Sequence, residues 1–233
     1  QVGRYEERSA NAARITANLE ADPVPLETLT TAGGEVEAAD RFRPVTVTGR
    51  YDPARELLVR RRTQHGRVGY YVVTPLVTEG GAAVLVNRGW IPEPADPGAR
   101  PEAPPPPGGE VTVTGRLRPA ETEENTGIKN RPGLPPGQIL LINADAVAVP
   151  YPLYGGYVEL TESRPAPASA PEPVPPPDVG GGGGLNLAYS VQWWSFIGIA
   201  VGGWVLLVRR EVRDRRAAAA ADQRPVQAPA NNG

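Results

Sequence analysis

The chain has no cysteine, no methionine and one histidine among 233 residues. Without cysteine there are no disulfides, no thiolate metal sites and no cysteine nucleophile, and the redox compartment stays open. A lone histidine, His65, cannot supply the paired ligands of a histidine metal site, and HExxH does not occur. No Gly-rich nucleotide fingerprint follows a strand and opens a helix. The glycine run 180–184 lacks the Lys-Ser/Thr that would make it a phosphate loop. A formal net charge of −2 gives no case for nucleic acid, and outside the C-terminal tail the arginines form no single basic face. Because methionine is missing even at position 1, a cleaved signal peptide or an upstream membrane helix is expected before Gln1.

Catalytic constellations are equally scarce. His65 lies in the polar stretch Arg60-Arg61-Arg62-Thr63-Gln64-His65-Gly66-Arg67, where a solvated loop histidine is a simpler reading than a general base. Ser190 and Ser195 are far from it in sequence, so a serine triad is not assembled. Glu121, Glu123 and Glu124 read as solvated loop charge. The chain is therefore not expected to be an enzyme.

What the chain does have is one long apolar run near its end. From Val191 to Val208 there is no charged residue, and the run stops at Arg209-Arg210. About 20 helical residues cross a hydrocarbon core of about 30 Å, so residues 185–208 are expected to span a membrane. Arg209, Arg210, Arg213, Arg215 and Arg216 follow it, whereas Pro165 to Gln192 holds no Lys or Arg. That asymmetry puts the C-terminus in the cytoplasm and the body of the chain outside it.

The body is rich in turn formers, with 28 Pro and 27 Gly, which favours β over helical architecture. Residues 1–22 carry Val2, Tyr5, Ala12, Ile15 and Leu19 at near-helical spacing and end at Asp22-Pro23. They are expected to form an amphipathic helix continuing from a first span. From 23 to 164 the pattern is β. Strands are expected at 44–51, 56–60, 68–77, 83–91, 110–119, 138–142 and 156–162, with a hairpin break at Glu79-Gly80-Gly81 and a helical turn capped by Asn143. Val111 to Arg116 repeats Val45 to Arg50 letter for letter, which hints at two equivalent strands. The expected fold class is thus a mainly β extracytoplasmic domain, an antiparallel barrel or sandwich of about seven strands, with an N-terminal amphipathic helix and a C-terminal transmembrane helix. A Pro/Gly-rich linker at 165–184 joins domain and span, and 209–233 is a basic, then disordered, cytoplasmic tail.

Two places stand out as candidate binding sites. Asn87-Arg88-Gly89-Trp90 ends a very apolar strand and brings a charge, a pliant backbone and a large ring together. Arg88 with Trp90 can stack as a cation–π pair or present a surface to an anion. The plainer alternative is a strand end, with Trp90 in the core, Gly89 in a bulge and Arg88 out to water. At the span entrance, Asn186, Tyr189 and Trp193 share a helical face, with Gln192 beside it. These can bind a ligand or subunit, or anchor the helix among lipid headgroups. Gly198 and Gly202 permit close packing of another helix. No metal ligand is assigned.

These two motifs, in this order, with Arg43-Pro44-Val45 to Tyr51, Gly69-Tyr70-Tyr71-Val72-Val73-Thr74-Pro75-Leu76 and Gly156-Tyr157-Val158-Glu159-Leu160, closely resemble the surfeit locus protein 1 family over nearly the whole chain. The resemblance is to an actinobacterial-like member, and Gln1 and Arg4 look like the end of a Trp-Gln-basic motif that closes the family's first membrane helix. It implies an assembly factor for haem-copper cytochrome c oxidase in the plasma membrane, with two spans and the β domain between them outside. Its implied partners are the oxidase catalytic subunit, other assembly factors and membrane lipid. A stable structural component of the respiratory complex is the alternative. Many members carry a histidine, a proposed haem ligand, where this chain has Asn186, and asparagine is a poor iron ligand. No cofactor is therefore assigned firmly; a transient haem a, packed on Tyr189 and Trp193, is what the family suggests.

Overall fold

The computed structural model describes residues 2–96 and 98–179. The chain divides into two compact units, Gln1–Val179 and Gly180–Gly233, and all described residues lie in the first. Helix α1 (Val2–Glu20) leads in. Ala12, Ile15 and Leu19 are half-buried along one side, and Asn18 fixes the helix end by donating to the carbonyls of Ala39 and Arg41, both at 2.8 Å. Eight strands follow: β1 (Val24–Pro25), β2 (Pro44–Tyr51), β3 (Leu57–Gln64), β4 (Arg67–Thr78), β5 (Ala83–Pro92), β6 (Glu110–Arg118), β7 (Gln138–Ile139) and β8 (Leu153–Arg164). A four-residue helix, α2 (Glu123–Thr126), interrupts the loop after β6 and carries a capping box on Thr122. Among the described residues no helix is long and apolar enough to cross a membrane, and the apolar run 185–208 lies outside them.

Strand β2 pairs with β6 along most of its length and with β4 at its end, which closes a ring β2–β6–β8–β5–β4. A ring has no edges, so the domain is a barrel and not a sandwich. Its interior is filled from all five ring strands, with Val45, Val47, Leu76, Val84, Val86, Val111, Val113, Leu117 and Val158 in one cluster. The expected all-antiparallel sheet needs correction, because β5–β8, β1–β2 and β3–β7 are parallel. Strand β6 is laid down between β5 and β8 in sequence, so β8 returns beside β5 by a crossover that a parallel pair requires. The two identical segments are neighbours in the ring. They pair with each other, antiparallel, with Val47 opposite Val113.

Strand β5 buries both faces. Val84 and Val86 point into the ring, while Ala83 and Leu85 join Val59, Val73, Ile142 and Tyr157 in a second cluster outside it. Strand β3 runs four residues further than its hydrophobic pattern indicates. A bulge between Val59 and Arg62, with Arg61 at φ 59°, takes the chain through the arginine run without ending the pairing. His65 and Gly66, at φ 49° and 74°, then form the two-residue turn into β4. The expected strand at 138–142 shortens to β7, because Leu140, Leu141 and Ile142 leave the sheet while remaining buried.

Candidate functional site

The end of β5 shows how the Asn-Arg-Gly-Trp sequence is used. Asn87 accepts a bond from the Gly89 amide through its own side chain at 3.1 Å, which bends the strand so that Arg88 is the extra residue of a bulge opposite Val72 and Val73. Arg88 is not out to water. It is 4% exposed, donates to Glu56 at 2.8 Å and to the Pro104 carbonyl at 2.6 Å, and lies 5.9 Å from the Tyr51 ring centre. Burial lowers the Arg88 guanidinium from its ordinary value, Glu56 opposing this, and pushes the Tyr51 hydroxyl up to about 12. Nor does Arg88 stack on Trp90. The cation over Trp90 is Arg67, at 4.8 Å, and the fully buried indole donates to the Arg62 carbonyl at 2.8 Å.

Gly89 makes room for a distant segment of the chain. It sits at φ 135°, and a Cβ there would meet the Glu172 carbonyl oxygen at 2.6 Å and Pro171 at 2.9 Å. The space is taken by the proline-rich segment expected as a spacer. Trp90 and Glu172 exchange both backbone hydrogen bonds, at 2.7 and 2.8 Å. Gln64 donates to the Pro173 carbonyl at 3.0 Å, and Arg116 to that of Val174 at 2.8 Å. The Glu172 carboxylate is gripped by His65 at 2.9 Å and Arg67 at 3.1 Å. The adjacent Gln64 amide, with His65 and Arg67, holds the Glu172 carboxyl below its ordinary range. Residues 171–174 are thus a strap fastened to β3, β5 and β6, not a stretch standing clear of them.

Beneath the strap is a cavity of about 300 Å³. Its walls combine aromatic rings (Phe42, Tyr71, Tyr157) with Arg62, Arg118, Glu121 and Glu159, and Val174, Pro175 and Pro177 line it from the strap side. Glu121 is 7% exposed, against the expectation of a solvated loop charge. It takes a two-pronged contact from Arg62 at 3.1 and 2.6 Å, the Ile142 amide at 2.9 Å and the Tyr157 hydroxyl at 3.2 Å. Glu159 is 2% exposed and binds Arg116 and Arg118, each at 2.9 Å. Burial keeps the Tyr157 hydroxyl far above its ordinary range, which preserves it as a donor to Glu121. Arg62 stacks over Tyr71 at 5.2 Å and Arg118 over Phe42 at 4.4 Å.

Of the residues singled out in the sequence, Asn87, Arg88, Gly89 and Trp90 are brought together, but as the buried seat of the strap. Asn186, Tyr189, Gln192, Trp193, Gly198 and Gly202 lie outside the described residues. The charged cavity was not read from the sequence. Its one available signal was the pattern of charge inside good strands, Arg116 and Arg118 in β6 and Glu159 in β8, where solvent-facing charge is the usual explanation. Among the described residues no group of His, Cys, Asp or Glu is placed to hold a metal.

The SURF1 family model matches residues 1–198, a range that contains the strap, its seat and the whole cavity. The chain belongs to the SURF1 family. An uncharacterized SURF1-like protein of Mycobacterium bovis is 33% identical over 221 residues, covering 93% of this chain and 78% of that protein. A SURF1-like protein of Monosiga brevicollis is 27% identical over 246 residues, covering 90% and 81%. Chicken Surfeit locus protein 1 is 30% identical over 109 residues, covering 40% of this chain and 34% of its own length. For this SURF1 family member, similarity to the mycobacterial protein therefore extends well past the strand-end motif.

Proposed function

We propose that this chain is a membrane-anchored assembly factor for haem-copper cytochrome c oxidase, assisting maturation of the catalytic subunit or haem a insertion without catalytic turnover. The observation that carries the reading is SURF1 family membership across residues 1–198. The β barrel stands on the outer side of the plasma membrane, residues 185–208 cross it, and the tail from Arg209 is cytoplasmic. The partners are the oxidase catalytic subunit, other assembly factors and lipid. Any haem a contact is transient, and Asn186 offers it no good axial ligand.

Deleting the gene in its native cell and recording membrane spectra tests the reading. The haem a signal of the oxidase is expected to fall while the transcripts of its subunits persist. An unchanged oxidase spectrum would overturn the assignment. Stoichiometric recovery of the chain with mature oxidase would replace it with a structural role.

A further inference from the structure

We infer that the cavity under the strap binds the anionic end of a small amphipathic ligand, a carboxylate or phosphate attached to an apolar body. The inference is independent of which assembly the chain serves.

Arg62, Arg116 and Arg118 face two carboxylates, Glu121 and Glu159, so the set carries an excess of positive charge. A further cation lies close by: Arg41 stands over the ring of Phe42, a cavity wall, at 5.1 Å. The carboxylates also have little left to accept. Each oxygen of Glu121 takes two bonds, and both oxygens of Glu159 are engaged by arginine.

The donors are in the opposite condition. Arg62 Nε and Arg118 Nε are buried and have no hydrogen-bond partner among the described residues, and Gln64 Oε1 is in the same state. The Gln64 orientation is fixed, since its nitrogen donates to the Pro173 carbonyl. All three side chains line this one cavity. Buried polar groups without partners cost stability, so their gathering around one space points to a ligand that completes them. An anion satisfies the two guanidinium donors, and a hydroxyl on the ligand or on a protonated phosphate satisfies the amide oxygen.

The remaining walls decide the class of ligand. Phe42 and Tyr71, with Val174 of the strap and Pro175 and Pro177 just after it, offer apolar surface beside the charges. A cavity of about 300 Å³ is at the small end of ligand sites, enough for a headgroup and the first part of an apolar body. A phospholipid headgroup and a soluble organic acid share this chemistry.

Full-length protein in neutral detergent micelles tests the inference by calorimetric titration and thermal melting. Octanoate is expected to bind and raise the melting temperature, while octanol, with the same tail and no charge, does neither. Arg62→Gln and Arg118→Gln are each expected to weaken octanoate roughly tenfold or more, from the loss of a charge-assisted donor. Arg50→Gln, an equal change of charge at an exposed site, leaves binding unchanged. If either cavity variant does not fold, the octanoate–octanol contrast on the unaltered protein still decides. Dihexanoyl phosphatidylglycerol that competes with octanoate, where dihexanoyl phosphatidylcholine does not, supports the site with a lipid source. Octanoate binding without that competition supports it with a soluble one. Equal effects of octanoate and octanol, no binding of any anionic probe, or binding indifferent to both cavity variants would overturn it.

Discussion

Arg88, buried, and Arg118, half-buried, are both arginines paired with a glutamate, yet they do different things. Arg88 is enclosed at the β5 bulge, its guanidinium shared between Glu56 and the Pro104 carbonyl, and none of its nitrogens is left buried and unpaired. Arg118 lines a cavity, shares Glu159 with Arg116, and keeps an unpaired Nε. A buried cation whose donors are filled by its own chain is fastening the fold. One whose donors are incompletely filled, beside a space, is set up to receive something. The family motif that attracts attention in the sequence belongs to the first kind, and the cations of the second kind, Arg62 and Arg118, lie apart on β3 and β6.

The contrast is tested most severely by removing each cation. Arg88→Met leaves Glu56 without its cation and is expected to cost about 3 kcal/mol, the low end for a broken buried pair because Glu56 keeps the Thr74 hydroxyl and some contact with water. Arg118→Met is expected to cost only about 1 kcal/mol, since Arg116 still holds Glu159. Urea midpoints of the two variants check the order, and equal losses would remove the distinction.

Gly89→Ala is the next largest. With φ at 135° and the Glu172 carbonyl 2.6 Å from the new methyl, the strap must lift or the bulge must shift, at about 2 kcal/mol. Hydrogen exchange is expected to accelerate at the Trp90 and Glu172 amides while the amides of β2 and β6 stay protected. Uniform acceleration across the barrel would instead mean that the strap is part of its core.

The smallest effect is electrostatic. Because the folded protein holds the Glu172 carboxyl below its ordinary value, its contribution to strap docking is present above the unfolded carboxylate range and disappears as pH falls through the folded value. The protection factor of the Trp90 amide, its exchange rate divided into the intrinsic rate at the same pH, is therefore expected to fall on acidification, and Glu172→Gln to remove that fall.

Legibility in the sequence followed the physics of each element. Strand β2 is bounded where the Val/Thr alternation begins and ends, and the Asn143 cap is realised by its bond to the Asp145 amide at 3.0 Å. Period-two burial and capping are local rules, and they can be read locally. The strap could not be read that way. A proline-rich run lacks the donors and the hydrophobic period of a strand, and its fastening depends on Gly89, Gln64 and Arg116, far away in the chain. The cavity was hidden for the same reason. Arg62 meets Glu121 and Arg116 meets Glu159 across long stretches of sequence, and charge in a strand or loop is ordinarily solvated. Arg88 was misplaced because the bulge that turns it inward is set by the Asn87 side chain, a detail finer than the strand's alternation.

The twin strands β2 and β6 have a consequence for alignment during folding. Sliding one past the other by two residues still sets valine on valine and threonine on threonine, and it keeps every side chain on its proper face. The repeat by itself therefore does not distinguish the right alignment from its neighbours. The glycine in each copy does. Gly115 passes so close to the Glu159 carbonyl, and Gly49 to that of Val77, that a Cβ at either point would come within 2.4 Å of the oxygen. A slipped pair would push Val113 or Leu117 into the gap at Gly115, or Val47 or Tyr51 into the gap at Gly49. In each copy of the repeat, the residue without a side chain is the one that tells the two strands where to stop.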